Sequence, residues 1–142
     1  MYETLEIARD GVVATLWMNR PDVHNAFNEQ LIAELTAACR QLAADDTVRV
    51  VVLAGRGKSF SAGADLNWMK RAGNASVEEN IEDARKLAAM LRTLAEMTKP
   101  TIARVHGAAL GGGMGLASAS DICIAGEGAV FATSEVRFGI IP

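Results

Sequence analysis

Pro100 to Ile124, PTIARVHGAALGGGMGLASASDICI, decides how this sequence is read. Thr101 to Val105 carries a strand signal, Gly107 and the run Gly111-Gly112-Gly113 interrupt it, and Met114 to Ser120 supplies helix formers. The stretch predicts a buried strand, a glycine turn and a short helix. Glycine lets another group come close to the main chain. The first N–H groups of a helix have no internal acceptor and sit at the positive end of its dipole. Such a turn therefore suits an anion or a developing oxyanion. A tight turn that needs small residues for packing alone would have the same composition.

The flanking sequence predicts a layered α/β domain. Thr4–Arg9 and Val12–Met18 are strand candidates joined at Asp10-Gly11, a type I′ hairpin dipeptide. Asn28 is a candidate N-cap for a helix with Leu31, Ile32, Leu35, Cys39 and Leu42 on one face. Val48–Ala54 is apolar on both faces, as a parallel strand between two layers would be. Gly55–Leu66 follows as a glycine-bearing loop. Ser76 to Glu79 has the capping-box pattern and starts a helix with Ala84, Leu87, Ala88, Leu91, Leu94 and Ala95 inward, ended before Pro100. Strands alternating with helices imply partly parallel pairing.

Composition narrows the function classes. The chain has 142 residues, half of them hydrophobic, enough for one domain with a real core. A net charge of -3 without a Lys/Arg stripe argues against nucleic acid or an anionic membrane as partner. No signal-like or membrane-spanning segment is legible, which points to the cytoplasm. Cys39 and Cys123 read as packing residues, and with only His24 and His106 beside them no metal site is expected. The final apolar residues, Val130, Phe131, Val136, Phe138, Ile140 and Ile141, read as a segment that needs covering, as in a truncated domain, or as a closing edge strand.

Three nucleotide or hydrolase motifs fail. Gly57-Lys58-Ser59 could end a P-loop, but Val52 stands where its first glycine belongs. A dinucleotide fingerprint begun at Gly111 would end on Leu116. Ser59 and Ser61 each lack a flanking glycine of the GxSxG elbow. Two glycine-bearing turns survive, Phe60–Leu66 (FSAGADL) and Ala109–Gly113 (ALGGG), each able to aim one backbone N–H at one oxygen.

Together with NRPDVHNAFN (Asn19–Asn28) and SEVRFGIIP (Ser134–Pro142), these turns resemble the enoyl-CoA hydratase/isomerase, or crotonase, family over nearly the whole chain. The resemblance implies an α/β crotonase-like spiral of ββα units, with residues 1–142 as its N-terminal core domain and the C-terminal helical region lacking, since members are nearly twice this long. It implies that Ala64 and Gly112 donate backbone N–H groups to the thioester oxygen of an acyl-CoA and that Glu135 is a catalytic carboxylate. Ala62, Gly63, Ala64, Asp65 and Leu66 would line the coenzyme A site, with His24 and Ala26 near it. Arg20, His24 and Lys58 are candidate phosphate neighbours or plain surface charges. Trp68 and Met69 are candidates for the acyl pocket. The resemblance further implies no cofactor beyond the coenzyme A of the substrate, no metal, and a homotrimer or dimer of trimers at full length.

One position departs from the family pattern. Members that hydrate with two glutamates carry the first where this chain has Gly115. The expectation is therefore hydration of a 2-enoyl-CoA by Glu135, with the string around Gly111–Pro142 nearest to methylglutaconyl-CoA hydratase-like members. Single-carboxylate isomerisation, a catalytically silent CoA-thioester-binding paralogue and a module without CoA affinity stay open.

Overall fold

The computed structural model describes residues 1–141. Its larger layer is a five-stranded sheet in the order β1-β2-β3-β4-β6. β1 (Leu5–Asp10) and β2 (Val13–Met18) are antiparallel, whereas β3 (Val50–Gly55), β4 (Thr101–Val105) and β6 (Ile122–Ala125) each join in parallel. The hairpin register pairs Asp10 with Val13, so the turn residues are Gly11 and Val12, not Asp10 and Gly11. Positive φ occurs at Gly11 alone, which is the pattern of a type II′ turn, not the type I′ expected.

Helices cover one face of this sheet. α1 (Glu29–Ala44) begins where the Asn28 side chain accepts the Leu31 N–H at 2.9 Å, and it buries Leu31, Ile32, Leu35, Ala38, Cys39 and Leu42. α3 (Val77–Ala95) begins at a complete Ser76/Glu79 capping box and lies beside α1. Its buried stripe is rotated from the expected one: Leu87, Met90, Leu91 and Leu94 pack inward, while Ala84, Ala88 and Ala95 are exposed. The larger side chains reach the core and the small alanines fall on the flank. In β3, Val51 and Leu53 are buried but Val50 and Val52 only half-buried. Among the described residues the Val51/Leu53 side is fully covered and the Val50/Val52 side only in part, with Ala54 buried at its end. Cys123, in the edge strand β6, is exposed and packs no core: all four residues of that strand are exposed, and no described element packs closely over them.

A second, smaller layer holds β5 (Ala108–Leu110) parallel to β7 (Val130–Ala132), with isolated parallel bridges Ser61–Ala109 and Phe27–Ala64 extending it. After the β1–β2 hairpin the chain visits both layers in turn: from β2 on, each large-sheet strand is followed by a short extended segment in the small layer and then by helix or turn. Thus β3 leads to Ser61–Ala64 and then to α2 (Leu66–Ala72) and α3; β4 leads to β5 and then to α4 (Gly112–Ala119); β6 leads to β7 and a 3-10 turn over Ser134–Phe138. β5, β7 and α2 went unread in the sequence because each is short, three residues in β5 and β7 and seven, about two turns, in α2. Val136, Phe138, Ile140 and Ile141 are exposed, and Pro142, the end of the last motif, lies outside the described residues. No described helix is long and apolar enough to cross a membrane.

One buried carboxylate ties β1 to α1. Glu34 is 7% exposed and accepts from the Glu3 and Thr4 N–H groups, Thr4 Oγ1 and Gln30 Nε2 at 2.6–2.9 Å. Burial pushes its carboxyl up, but these donors outweigh burial and hold it below the ordinary glutamate value. A lowered folded-state value stabilises above the unfolded carboxylate pKa and is lost as pH falls through the folded one. Glu34→Gln is expected to destabilise by about 1–3 kcal/mol at pH 7. The difference from the parent should narrow below about pH 4, read by urea unfolding at both pH values.

Candidate functional site

The small layer brings the two glycine-bearing turns together. Phe27 donates its N–H to the Gly63 carbonyl at 2.7 Å, and the Asp65 N–H donates to the Phe27 carbonyl at 2.8 Å. In such a parallel bridge the partner engages the residues on either side of Ala64, so the Ala64 N–H points away from Phe27. Among the described residues it donates to nothing. Gly112 opens α4, where first-turn N–H groups have no acceptor within the helix, and no side chain caps them.

These main chains meet with no room for side chains. A β-carbon added at Gly63 would stand 2.8 Å from the Leu110 carbonyl oxygen and 3.3 Å from the Gly112 nitrogen. One added at Gly113 would collide with the Ser61 carbonyl, and one at Gly112 would stand 2.6 Å from Cε2 of the buried Phe27 ring. Gly111 adopts φ +51°, and a β-carbon there would stand 2.5 Å from Glu135 Oε1 and 3.1 Å from Ser134 Oγ. The Glu135 carboxyl therefore lies directly against the glycine turn. Its Oε2 is buried and, among the described residues, has no hydrogen-bond partner.

A cavity of about 530 Å³ opens here, within the range of small-molecule sites. His24, Ala26, Ala62, Ala64, Asp65, Leu66 and Glu135 line it together with Leu110 and Gly111, whereas Gly63 and Gly112 are not lining residues. His24 Nδ1 is 3.1 Å from Ser59 Oγ, and the His24 carbonyl accepts the Ala62 N–H. Fully buried Asn25 fixes this loop by accepting the Arg20 N–H and donating to the Arg56 and Ser59 carbonyls at 2.8 Å.

Several sequence-based assignments change. Asp65 lines the cavity, but its carboxylate caps α2 through the Asn67 and Trp68 N–H groups and pairs with Arg20 at 3.0 Å. Burial pushes that carboxyl up, yet the two amides and the guanidinium hold it below the usual carboxylate range. Arg20 is accordingly not a free phosphate neighbour: it is committed to Asp65 and the Ala26 carbonyl. Lys58 is exposed and does not line the cavity; Lys70, which sequence reasoning passed over, does. Met69 lines the cavity, whereas Trp68 turns toward the core and donates Nε1–H to Asp83 at 3.3 Å. Gly115 stands apart from the lining, and a β-carbon there would meet only Leu91, at 3.8 Å. The bare tripeptide FNE gave no sign that Phe27 joins the two turns; the i, i+4 spacing of Lys70 from Leu66, one helical turn, could have indicated the cation.

Comparison with known proteins places this geometry. Residues 8–142 match the family model described as enoyl-CoA hydratase/isomerase. A solved structure from Legionella pneumophila, assigned as an enoyl-CoA hydratase/isomerase (crotonase), superposes with a TM-score of 0.95 at 47% identity, covering 98% of this chain and 54% of that one. An enoyl-CoA hydratase from Shewanella pealeana superposes with a TM-score of 0.95 at 42% identity, over 99% of this chain and 53% of that one. The Bacillus subtilis protein YhaR, assigned as an enoyl-CoA hydratase/isomerase, is 39% identical over 99% of this chain and 54% of its own length. The chain thus spans about half the length of the relatives it matches.

The close approach of the turns sets opposite outcomes for two glycines of one helix. Gly113→Ala forces a methyl group onto the Ser61 carbonyl and is expected to cost about 1–3 kcal/mol. Gly115→Ala meets ordinary contact at Leu91 and is expected to stabilise by about 0.5–1 kcal/mol, the helix-propensity difference. Thermal unfolding of both variants checks the sign of each.

Proposed function

We propose that this chain, which belongs to the enoyl-CoA hydratase/isomerase family, carries the thioester-polarising part of an enzyme that adds water to a 2-enoyl-CoA. The observation that carries the reading is the Glu135 carboxyl set against Gly111, with Oε2 buried and unpartnered, on the cavity that Ala64 lines. The thioester oxygen would accept the Ala64 and Gly112 N–H groups. As the water oxygen bonds to the β-carbon, the double-bond electrons move toward the carbonyl and negative charge collects on that oxygen as an enolate. Two fixed donors in a site shielded from water stabilise this charge more in the transition state than in the substrate. Glu135 takes the proton from the attacking water and gives it to the α-carbon as the enolate collapses to the 3-hydroxyacyl thioester. The chemistry so written uses coenzyme A as part of the substrate and draws on no metal or redox group.

Ala62, Leu66, His24 and Ala26 would pack along the coenzyme A, with the Gly63 and Asp65 main chain holding Ala64 in place. Lys70 is the cation on the cavity that suits a phosphate. The reading carries with it a cytoplasmic protein acting, at full length, as a homotrimer or dimer of trimers. Gly115 leaves one carboxylate where the two-glutamate pattern has two, and the resemblance of Gly111–Pro142 to methylglutaconyl-CoA hydratase-like members supports a branched or carboxylated acyl group over a short linear one. The same site with Glu135 shuttling a single proton would instead move a 3-enoyl double bond.

Glu135→Gln keeps size but cannot exchange a proton, so kcat should fall roughly 10²-fold or more with coenzyme A binding nearly unchanged. Ala64→Pro removes one donor and should cost about 3–4 kcal/mol of transition-state stabilisation in a folded variant. Steady-state kinetics with circular dichroism on the full-length protein measure both, and full activity in either would remove that residue's role.

A substrate panel separates the two reactions. The full-length enzyme is expected to hydrate a branched 2-enoyl-CoA faster than crotonyl-CoA and to incorporate oxygen from labelled water. Conversion of a 3-enoyl-CoA without label, with no 2-enoyl-CoA hydrated, would put isomerisation in its place.

A further inference from the structure

We infer that Phe27 sets the spacing between the Ala64 and Gly112 N–H groups and is a positioning residue for the oxyanion site; the inference rests on the function proposed above. Its main chain and its ring hold different donors. The Phe27 N–H and carbonyl bond to Gly63 and Asp65, the residues on either side of Ala64, at 2.7 and 2.8 Å. The ring lies under the other donor: a β-carbon at Gly112 would be 2.6 Å from Cε2 and 3.2 Å from Cδ2. One residue thus supports both donors, one through backbone hydrogen bonds and the other through van der Waals contact.

The ring cannot yield easily. It is 1% exposed and among the largest fully buried side chains, in an interior that transmits displacement instead of absorbing it. Phe27 does not line the cavity, so it touches no substrate and acts only through the two donors. Shortening it to leucine keeps the backbone bridge to Gly63 and Asp65 but removes the support beneath Gly112, letting the start of α4 settle away from Ala64. A methyl group added at Gly112 points into the space the ring vacates. Phe27→Leu and Gly112→Ala are therefore complementary in size, each harmful alone and compensating together.

Displacement of a reacting or stabilising group by about 1 Å commonly costs on the order of 10²-fold in rate. In the full-length protein, Phe27→Leu should lower kcat about tenfold or more while KM stays within about twofold. The double variant Phe27→Leu/Gly112→Ala should recover much of kcat. A control, Leu35→Ala in the α1 core, should lose at least as much thermal stability yet keep kcat. If Phe27→Leu fails to fold, Phe27→Met takes its place. A folded Phe27 variant with parental kcat, a double variant no better than either single one, or a control that loses kcat in step with stability would each overturn the inference. A second readout is binding of acetoacetyl-CoA, whose enolate, stabilised by the two donors, is seen by ultraviolet absorbance. A parent that forms the enolate but turns over no enoyl-CoA sinks the proposed reaction alone. The spacing is then decided by whether Phe27→Leu weakens that band and the double variant restores it. A parent that shows neither overturns both.

Discussion

Contact of main chain on main chain, between residues 61–65 and 110–113, is the constraint on which the rest depends. With β-carbons excluded at Gly63 and Gly113, a carbonyl, an amide and a helix terminus share a space that would otherwise hold side chains. Parallel pairing adds the second requirement. Because a bridged residue's neighbours carry its hydrogen bonds, Ala64 keeps a free N–H while being held on both sides by Phe27. Close approach and free donors are thus one feature of the backbone, and neither depends on the side chain of Ala64.

The repeating path of the chain explains why these residues meet. Each pass takes a strand into the large sheet and then a short segment into the small layer, and the residues leaving that second segment are Phe27, Ala64, Gly111 and Gly112, and Glu135 in successive passes. Residues over a hundred positions apart are therefore brought to one edge of one small layer. The helices contribute rigidity: α1 and α3 bury the inner face of the sheet, and Asp65, by capping α2 and gripping Arg20, secures the chain just past Ala64.

Much of this was legible wherever local chemistry is strong. The Asn28 cap, the Ser76/Glu79 box and the strand Thr101–Val105 follow from short-range preferences that the fold satisfies. The family resemblance supplied Ala64, Gly112 and Glu135; Ala64 and Glu135 line one cavity, and Gly112 follows the lining residue Gly111 without lining it. What was not legible depends on long-range contact. Nothing near Phe27 in sequence shows that its ring underlies Gly112, 85 positions on by residue number. Arg20 looked like a free cation because its partner Asp65 is distant in the chain, and Trp68 like a pocket residue because α2 is too short for its phase to be read. The turn at Gly11-Val12 shifted by one residue because strand register, not the dipeptide, fixes which residues turn.

The cavity's two carboxylates show how environment divides their work. Asp65 is ion-paired, accepts two amides and is held below the carboxylate range, so it stays ionised and has no proton to exchange near neutrality. Glu135 has the opposite setting: one oxygen rests against Gly111, and the other is buried with no donor among the described residues. A buried polar atom left in this way costs on the order of 1–3 kcal/mol. Packing against the turn holds the group in place despite that cost, and a water or substrate hydroxyl entering the cavity would relieve it. Among the described residues this is the one buried side-chain polar atom without a partner, and it lies at the site where proton transfer is proposed. Gly115, beside Leu91 and outside the lining, offers no second acid at its position, so among the described residues both proton steps of the hydration proposed above would fall to Glu135 in turn.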